Sequence, residues 1–271
     1  MPELPEVETI VRGLRATNNI VEKTIINSRV LWQRSLAVPL PLEFQQLIKG
    51  QKILAVDRRG KFIVIKLTSH SLLIHLRMSG DIFVESGESN RNQKHDRVIL
   101  DFDDGSRMSF NDTRKFGRVW LVDDPQIVFG KLGPEPFEES LTTEIFFKKL
   151  NRSKRQIKPL LLDQTFMAGM GNIYTDESLF IASIHPTTPA NLILIEKAAL
   201  LLSAIREVLS EGIKRNGASI DWVYRGGDFQ NHFKVYQRDG EACRRCGAIL
   251  QRMVVGQRGT HFCPHCQPKA A

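Results

Sequence analysis

The start of the chain carries a proline beside two carboxylates, a set of groups that could do nucleophilic and acid–base chemistry. Removal of Met1 would leave Pro2 as a secondary amine, whose ordinary pKa of about 8 gives a usable neutral fraction at neutral pH. Attack by this amine on a sugar C1′ would form an iminium, an electron sink like other amine-derived Schiff bases. Glu3 and Glu6 follow closely enough to act beside it. The same residues also suit a plain helix start, where proline and acids are common.

All four cysteines of the chain lie near its C-terminus, in two Cys-x2-Cys pairs that sixteen residues separate. The candidate metal ligands are Cys243, Cys246, Cys263 and Cys266. This spacing is typical of a zinc site, and four thiolates leave no position open for water. We therefore expect one structural Zn2+. Two disulfides are the first alternative, although the acidic N-terminus lacks the apolar segment of a secreted chain. A catalytic zinc that uses His261 or His265 is the second.

Basic residues are concentrated in two stretches of a chain whose formal net charge is +8. Residues 231–271 contain seven basic residues and two acids, and residues 148–158 contain six basic residues and no acid. A charged run is ordinarily a solvated surface. Two such stretches together with a zinc ribbon favour a nucleic-acid partner. A membrane partner is disfavoured, because no amphipathic helix carries the basic residues with an aromatic face. No apolar run approaches the roughly 20 residues of a membrane span.

Hydrophobic periodicity changes near residue 135 and divides the chain into a β-rich and a helical half. Residues 5–16 have the apolar spacing of an amphipathic helix. Strand patterns then cover 51–57, 62–67, 72–77, 81–84, 97–102, 106–110 and 118–122. Turn residues separate these segments, and residues 85–95 have the composition of a mobile loop. The pattern predicts an antiparallel sandwich or barrel.

The second half has helical spacing around a glycine-rich turn. An apolar stripe over 141–150, a short helix at 160–164 after Pro159 and a long helix at 192–215 are predicted. Residues 167–174 read Met-Ala-Gly-Met-Gly-Asn-Ile-Tyr, with the next helix starting at Ile173. Backbone N–H groups there, with Asn172, could hold a phosphate at the helix N-terminus. A plain turn between helices explains the glycines equally well.

Two strand ends combine arginine with a large apolar side chain. Met78 lies next to Arg77, and Phe116 lies close to Arg114. Apolar residues at strand ends usually belong to the rim of a core, but beside cations they could be wedges inserted between bases. The turn before the second strand segment contributes another cation, Lys61, at a basic hairpin tip.

These motifs together resemble the formamidopyrimidine-DNA glycosylase family of base-excision repair enzymes. The resemblance rests on residues 2–9, on residues 169–174 and on the four-cysteine finger, and it runs the whole length of the chain. Further matches occur at 75–80, 94–96, 114–117, 133–136 and 157–159. The start Pro-Glu-Leu-Pro-Glu favours this family over the endonuclease VIII type, which is similar in fold and prefers oxidised pyrimidines. A non-catalytic zinc-ribbon DNA-binding protein is the other alternative, against which the retained Pro2 argues.

The resemblance implies an α+β fold with four segments. Residues 1–132 would form a catalytic antiparallel β-sandwich with flanking helices, and 133–140 a linker. Residues 141–230 would form a helical domain with a helix–two-turn–helix motif, and 231–271 the zinc ribbon. Glycosylase and lyase activities would excise oxidised purines, including 8-oxoguanine and formamidopyrimidines, from duplex DNA. The partner would be double-stranded DNA with the damaged base opposite cytosine, and the chain would act as a monomer in the bacterial cytosol and nucleoid.

The catalytic roles that the resemblance implies fall on four residues. Pro2 would attack C1′, expel the base and form the Schiff base. Glu3 would protonate the sugar ring oxygen, and Glu6 would position the amine and the sugar. Lys61 would hold phosphate or lesion. Successive β- and δ-elimination would then remove the sugar and leave a gap with a phosphate at both ends.

The resemblance also implies a set of DNA contacts after the lesion swings out of the duplex. The residues that would fill the void are Met78, Arg114 and Phe116, of which Arg114 would read the opposing cytosine. Asn172 and Arg258 would bind backbone phosphates, and His75 and Lys158 would contact phosphate or lesion. The sequence departs from the family pattern in two places. Trp222 and Tyr224 lie in the loop over 217–230, and Gln237 stands where many relatives have glycine.

Overall fold

The chain forms two structural units, seen in a computed structural model that describes residues 1–86, 94–219 and 226–269. The first unit is built from Met1–Gly130, and the second from Lys131–Ala218 with the chain from Gly226 onward. Among the described helices, none has both the length and the apolar composition needed to span a membrane.

The first unit consists of two β-sheets with helices at their edges. Its strands are β1 Ile25–Val30, β2 Leu36–Val38, β3 Ile53–Arg59, β4 Phe62–Leu67, β5 Ser71–His75, β6 Gly80–Glu85, β7 Asp96–Phe102, β8 Arg107–Asp112 and β9 Arg118–Val122. Its helices are α1 Leu4–Arg15, α2 Pro41–Ile48 and α3 Gln126–Phe129. One sheet has the order β1-β7-β8-β6, and the other has the order β2-β9-β5-β4-β3. Neighbouring strands are antiparallel, except that β2 runs parallel to β9.

The core of this unit collects apolar side chains from both sheets and from α1. Val7, Val11 and Leu14 lie on one face of α1 and are fully or almost fully buried. They join strand residues such as Ile63 and Phe110 in one hydrophobic cluster. Burial of this face explains the helical spacing of the first segment, since an amphipathic helix is stabilised mainly by its packing. The predicted sandwich and its opening helix are confirmed, whereas the sequence patterns missed β1, β2, α2 and α3.

The described residues of the second unit form four α-helices, two short 3-10 helices and a two-stranded ribbon. The α-helices are α4 Thr143–Asn151, α5 Ile157–Leu162, α6 Asn172–Ile181 and α7 Ile195–Lys214, and the strands are β10 Gln251–Val255 and β11 Arg258–Phe262. The short helix begins at Ile157 and not at Leu160, because a proline at position 159 is tolerated within the first turn. The long helix begins at Ile195, three residues later than predicted. It ends where predicted, since Asn216 and Gly217 both have positive φ angles (56° and 76°).

Candidate active site and nucleic-acid interface

Glu3 and Glu6 form a buried capping box at the start of α1. The backbone N–H of Glu3 donates to Glu6 Oε2 at 2.8 Å, and the Glu3 side chain accepts from the Glu6 backbone in return. The two side chains are only 3% and 2% exposed. Pro2 is buried directly before them, while Met1 is exposed. The two acids therefore do cap the start of α1, as the helix-start interpretation expects. The same hydrogen bonds hold both carboxylates next to Pro2.

Helix α1 runs along β3 with its first residues toward the hairpin tip. Near the end of the helix, Arg15 donates to the backbone oxygen of Val56. Nearer its start, Glu8 accepts from Arg58 Nε at 3.0 Å. The order of these contacts places the first turn of α1 at the Lys61 end of β3. Lys61 is only 4% exposed, so its ammonium group lies in the protein and not on the open surface.

His75 lies beside this tip as a neutral imidazole. It pairs with Phe62 across β4 and β5, and the two rings meet edge to face at 4.7 Å between centroids. Burial, together with the positive charges of Arg77 and Lys61, lowers the pKa of His75 to about 3. Its Nδ1 accepts the backbone N–H of Arg77 at 3.1 Å, so the ring hydrogen is on Nε2. His75 can therefore donate a hydrogen bond without carrying a charge.

The predicted wedge residues lie on two neighbouring turns, one after β5 and one after β8. Met78 is half-buried, whereas Phe116 is 52% exposed. Arg114 is exposed, and its guanidinium carbon lies 5.1 Å from the centroid of the Phe116 ring. The exposed phenylalanine ring lies against an arginine and contributes no packing to the core, while its apolar surface remains in contact with water. This arrangement suits insertion into another molecule better than a role at the rim of a core.

The four cysteines of the second unit have the geometry of a tetrahedral zinc site. Their sulfur atoms all lie within 4.8 Å of one another, and two of the pairs are 4.0 Å and 3.5 Å apart. Zinc–sulfur bonds of ~2.3 Å place thiolates about 3.8 Å apart, whereas a disulfide needs about 2.05 Å. His261 is held elsewhere, with Nδ1 3.4 Å from an oxygen of Asp176. The residues fit one structural Zn2+, and both alternatives from the sequence fail.

Lys158 is buried, and its charge is paired within the protein. Its side chain is 0% exposed, and Nζ donates to Asp176 Oδ1 at 2.6 Å and to the backbone oxygen of Gly259 at 2.9 Å. Asp176 is also 0% exposed and accepts the backbone N–H of His261 at 2.9 Å. A cation this deep must be paired. Lys158 therefore links α5 and α6 to the ribbon.

Asn172 belongs to the same link, and Arg258 extends from it. The Asn172 amide donates to the backbone oxygen of Gly259 at 3.0 Å and to the Tyr236 hydroxyl at 3.4 Å. Its donors are thus engaged within the protein, which leaves Oδ1 buried without a hydrogen-bond partner. Arg258 precedes Gly259 and is exposed at the tip of the β10–β11 hairpin. Three residues of this unit are predicted to contact DNA: Lys158, Asn172 and Arg258. Of these, only Arg258 presents a charged side chain to solvent.

The sequence did not single out Asp176, although it organises this part of the molecule. Asp176 and its neighbour Glu177 are the only acids in α6, a helix that is otherwise largely apolar and buried. Glu177 accepts backbone N–H groups from Lys234, Val235 and Tyr236 at 2.9–3.0 Å. Two adjacent acids in an otherwise apolar helix could have indicated this role, because buried carboxylates need hydrogen-bond or ionic partners.

The two departures from the family pattern have different outcomes. Gln237 has a φ of 54°, in the left-handed region where glycine has no steric penalty. This geometry explains why glycine suits the position. Trp222 and Tyr224 lie outside the described residues.

The four-cysteine site and the exposed Arg114 and Arg258 define a zinc-finger protein whose units each present a cation suited to nucleic acid. Three family models match it: "Formamidopyrimidine-DNA glycosylase N-terminal domain" over residues 1–119, "Formamidopyrimidine-DNA glycosylase H2TH domain" over 132–223, and "Zinc finger found in FPG and IleRS" over 240–269. The chain belongs to the formamidopyrimidine-DNA glycosylase family.

Whole-length relatives agree with this assignment. The formamidopyrimidine-DNA glycosylase of Protochlamydia amoebophila is 41% identical over 99% of this chain and 100% of the relative. That of Ligilactobacillus salivarius is 44% identical over 98% of this chain and 99% of the relative.

Solved structures are equally similar. A complex between the Lactococcus lactis Fpg and an abasic site containing DNA has a TM-score of 0.91 at 38% identity, over 99% of this chain and 100% of that one. MutM in complex with carbocyclic 8-oxo-G containing DNA has a TM-score of 0.92 at 39% identity, with the same coverage. The predicted fold class, family and zinc site are confirmed, and the chain is a glycosylase with a DNA-binding zinc finger.

Proposed function

We propose that Pro2 is the nucleophile with which this glycosylase excises oxidised purines from DNA. After removal of Met1, the Pro2 amine would attack C1′ of the damaged nucleotide, displace the base and form an iminium. The chain is a DNA glycosylase of its family, and oxidised purines are its substrate class. The observation that carries the proposal for Pro2 is the buried pair of carboxylates held directly behind it.

Glu3 and Glu6 divide the proton chemistry and the positioning between them. Glu3 would protonate the ring oxygen of the sugar and assist ring opening, because its side chain lies next to Pro2 at the helix start. Glu6 would orient Pro2, because Glu6 Oε2 accepts the backbone N–H of Glu3, the residue bonded to Pro2, at 2.8 Å. The capping box thereby limits the motion of both carboxylates. Successive β- and δ-elimination through the iminium would complete the lyase reaction.

Lys61 and His75 would hold the lesion or its flanking phosphate. The two residues lie close together, because Lys61 directly precedes Phe62, whose ring meets that of His75 at 4.7 Å between centroids. Lys61 would supply the charge, and neutral His75 would supply an Nε2–H donor. In the second unit, Arg258 would bind phosphate directly. Lys158 and Asn172 would act indirectly by fixing the hairpin through the backbone oxygen of Gly259. The four cysteines would hold the zinc that keeps the ribbon folded.

Arg114 would read cytosine opposite the lesion. Its guanidinium can offer two donors to the O2 and N3 acceptors of cytosine, while Met78 and Phe116 fill the vacated stack. Adenine presents an N6 donor instead, which leaves an arginine donor unpaired at a cost of about 1–3 kcal/mol. Excision opposite cytosine should therefore be roughly ten- to a hundredfold faster than opposite adenine. Arg114→Ala should reduce this ratio, whereas Phe116→Ala should slow both substrates alike. An intact ratio in Arg114→Ala would assign the reading to another residue.

Borohydride trapping on an 8-oxoguanine duplex tests the nucleophile and the substrate together. Reduction of the iminium should link the protein covalently to DNA, with the crosslink on the N-terminal peptide. Pro2→Gly, or a form that retains Met1, should lose most of the trapping. A crosslink on Lys61 would contradict the assignment of Pro2. Oxidised pyrimidines in the same duplex provide the comparison substrates.

We also propose that the protein acts as a monomer in the bacterial cytosol, on the DNA of the nucleoid. Its relatives in Protochlamydia amoebophila and Ligilactobacillus salivarius are bacterial, and genomic DNA is the substrate that this function requires. Size-exclusion chromatography with light scattering should give a mass near 30.8 kDa. A mass of twice that value would refute the monomer, and cell fractionation tests the location.

A further inference from the structure

One buried carboxylate joins the two turns that carry the wedge residues and the arginine. Asp112 is the last residue of β8 and is 0% exposed. The turn after it contains Arg114 and Phe116, while the turn after β5 contains Met78 and ends at Ser79. The two turns are distant in sequence, since Ser79 and Asp112 are 33 positions apart.

The two oxygens of Asp112 divide the bonding between them. Oδ1 accepts the hydroxyl of Ser79, and it also accepts the backbone N–H of Arg114 at 3.1 Å. Oδ2 accepts the backbone N–H of Gly117 at 2.7 Å. The Ser79 hydroxyl in turn accepts from the Arg114 backbone at 3.0 Å, which closes the link between the turns. Asp112 thus holds both ends of the second turn and the end of the first.

Both turns pack closely against the ring of Phe110. A Cβ added to Gly80 would lie 2.8 Å from the Phe110 ring, and one added to Gly117 would lie 2.3 Å from the same ring. Each turn also contains a residue other than glycine in the left-handed region, Arg77 at φ 55° and Lys115 at φ 61°. Such conformations persist only where the surroundings fix them. The bonds to Asp112 and the packing on Phe110 provide that fixation.

We propose that Asp112, through Ser79, is a positioning residue that couples insertion of Met78 and Phe116 to reading of the opposite base by Arg114. This inference rests on the proposed roles of those three residues. With the carboxylate in place, the wedge and the arginine enter the duplex in a fixed relative position. Without it, the wedge inserts less completely and the arginine is misplaced relative to it, so that rejection of the wrong partner base is lost before excision is lost.

Two variants remove different parts of the link. Asp112→Asn turns an amide donor toward the N–H of either Arg114 or Gly117, so one of those bonds must break. Ser79→Ala removes only the bridge between the turns and keeps the Asp112 bonds within the second turn, which makes it the milder change. Ser109→Ala is the matched control, because Ser109 is a 5% exposed serine on the same strand as Asp112.

The first measurement is the ratio of single-turnover excision rates for 8-oxoguanine opposite cytosine and opposite adenine. We expect Asp112→Asn to reduce this ratio by roughly tenfold, Ser79→Ala to reduce it less, and Ser109→Ala to leave it unchanged. A purely structural role for Asp112 would slow both substrates equally and keep the ratio. That outcome, in variants whose thermal unfolding shows a folded first unit, would overturn the inference.

The second measurement does not depend on excision. A duplex with a tetrahydrofuran abasic analogue opposite 2-aminopurine reports insertion through the fluorescence of the unstacked base. The rise seen with the wild-type chain should shrink in Ser79→Ala and Asp112→Asn toward the value for Phe116→Ala. If the wild-type chain traps no DNA but its insertion still depends on Asp112, the proposed nucleophile fails and this inference stands. If insertion and ratio are both unchanged in the variants, this inference fails alone.

Discussion

Replacement of Lys158 by methionine should destabilise the second unit without removing a phosphate contact. The methionine keeps the apolar stem but leaves the Asp176 carboxylate, which is 0% exposed, without its cation at 2.6 Å. Loss of one member of a buried ion pair costs about 3–5 kcal/mol. For a unit of this size, that cost lowers the unfolding temperature by on the order of 10–20 °C. Scanning calorimetry, in which the second unit should melt earlier while the first is unchanged, measures it.

Two further variants separate this reasoning from a direct contact with DNA. Lys154→Met removes a charge from an exposed site in the same basic stretch, so its stability should change by less than about 0.5 kcal/mol. Lys158→Met combined with Asp176→Asn removes both charges and should recover much of the lost stability. A phosphate contact by Lys158 would instead lower the slope of log affinity against log salt by about 0.9. Unchanged stability with that loss of slope would refute the buried pair as the role of Lys158.

Three other predictions follow from the sites. Glu3→Gln should keep the helix cap and slow base excision by ~10²–10⁴-fold, with Glu8→Gln as the control, and a loss below about tenfold would leave Glu3 only a capping role. Chelation of zinc, or Cys246→Ser, should abolish DNA binding while the first unit stays folded; metal analysis should find one zinc per chain, and two disulfides with no zinc would contradict this. The unfolded chain takes up a proton at His75 near pH 6.5, but the folded chain does so only near pH 3. Stability from His75 is therefore complete above pH 6.5 and falls by up to roughly 1.4 kcal/mol per unit as the pH drops below it. His75→Gln should flatten that dependence in denaturant titrations, and an imidazole that titrates near 6.5 in the folded protein would disprove it.

Local patterns in the sequence were sufficient for the elements with regular periodicity. Strands such as β4 and β8 follow alternating or continuous apolar runs, and α1 follows a helical stripe. β1 was missed because the polar residues Asn27, Ser28 and Arg29 occupy its centre. β2 has only three residues, and its partner β9 is distant in sequence. Neither strand carries enough periodic signal to be recognised alone.

The functional groups divide in the same way. The N-terminal acids and the cysteine pairs were found because short spacing fixes their geometry. The burial of Lys158 could not be predicted, because its partner Asp176 is 18 residues away and the Gly259 oxygen is 101 residues away. From the sequence alone, a buried lysine in a basic stretch cannot be distinguished from the exposed lysines around it. Only the fold shows that one member of the stretch points inward.

The buried acids of α6 determine which parts of the protein can fold first during synthesis. Asp176 and Glu177 have partners in the ribbon and in the segment before it, and Asp176 lies 85 residues ahead of His261. At ~5–20 residues per second, the ribosome needs about 4–17 s to supply that partner. During this interval the first unit can complete its sheets, whereas α6 cannot bury its carboxylates without a large penalty. The helices of the second unit therefore cannot complete their packing until the last segment of the chain has been synthesised.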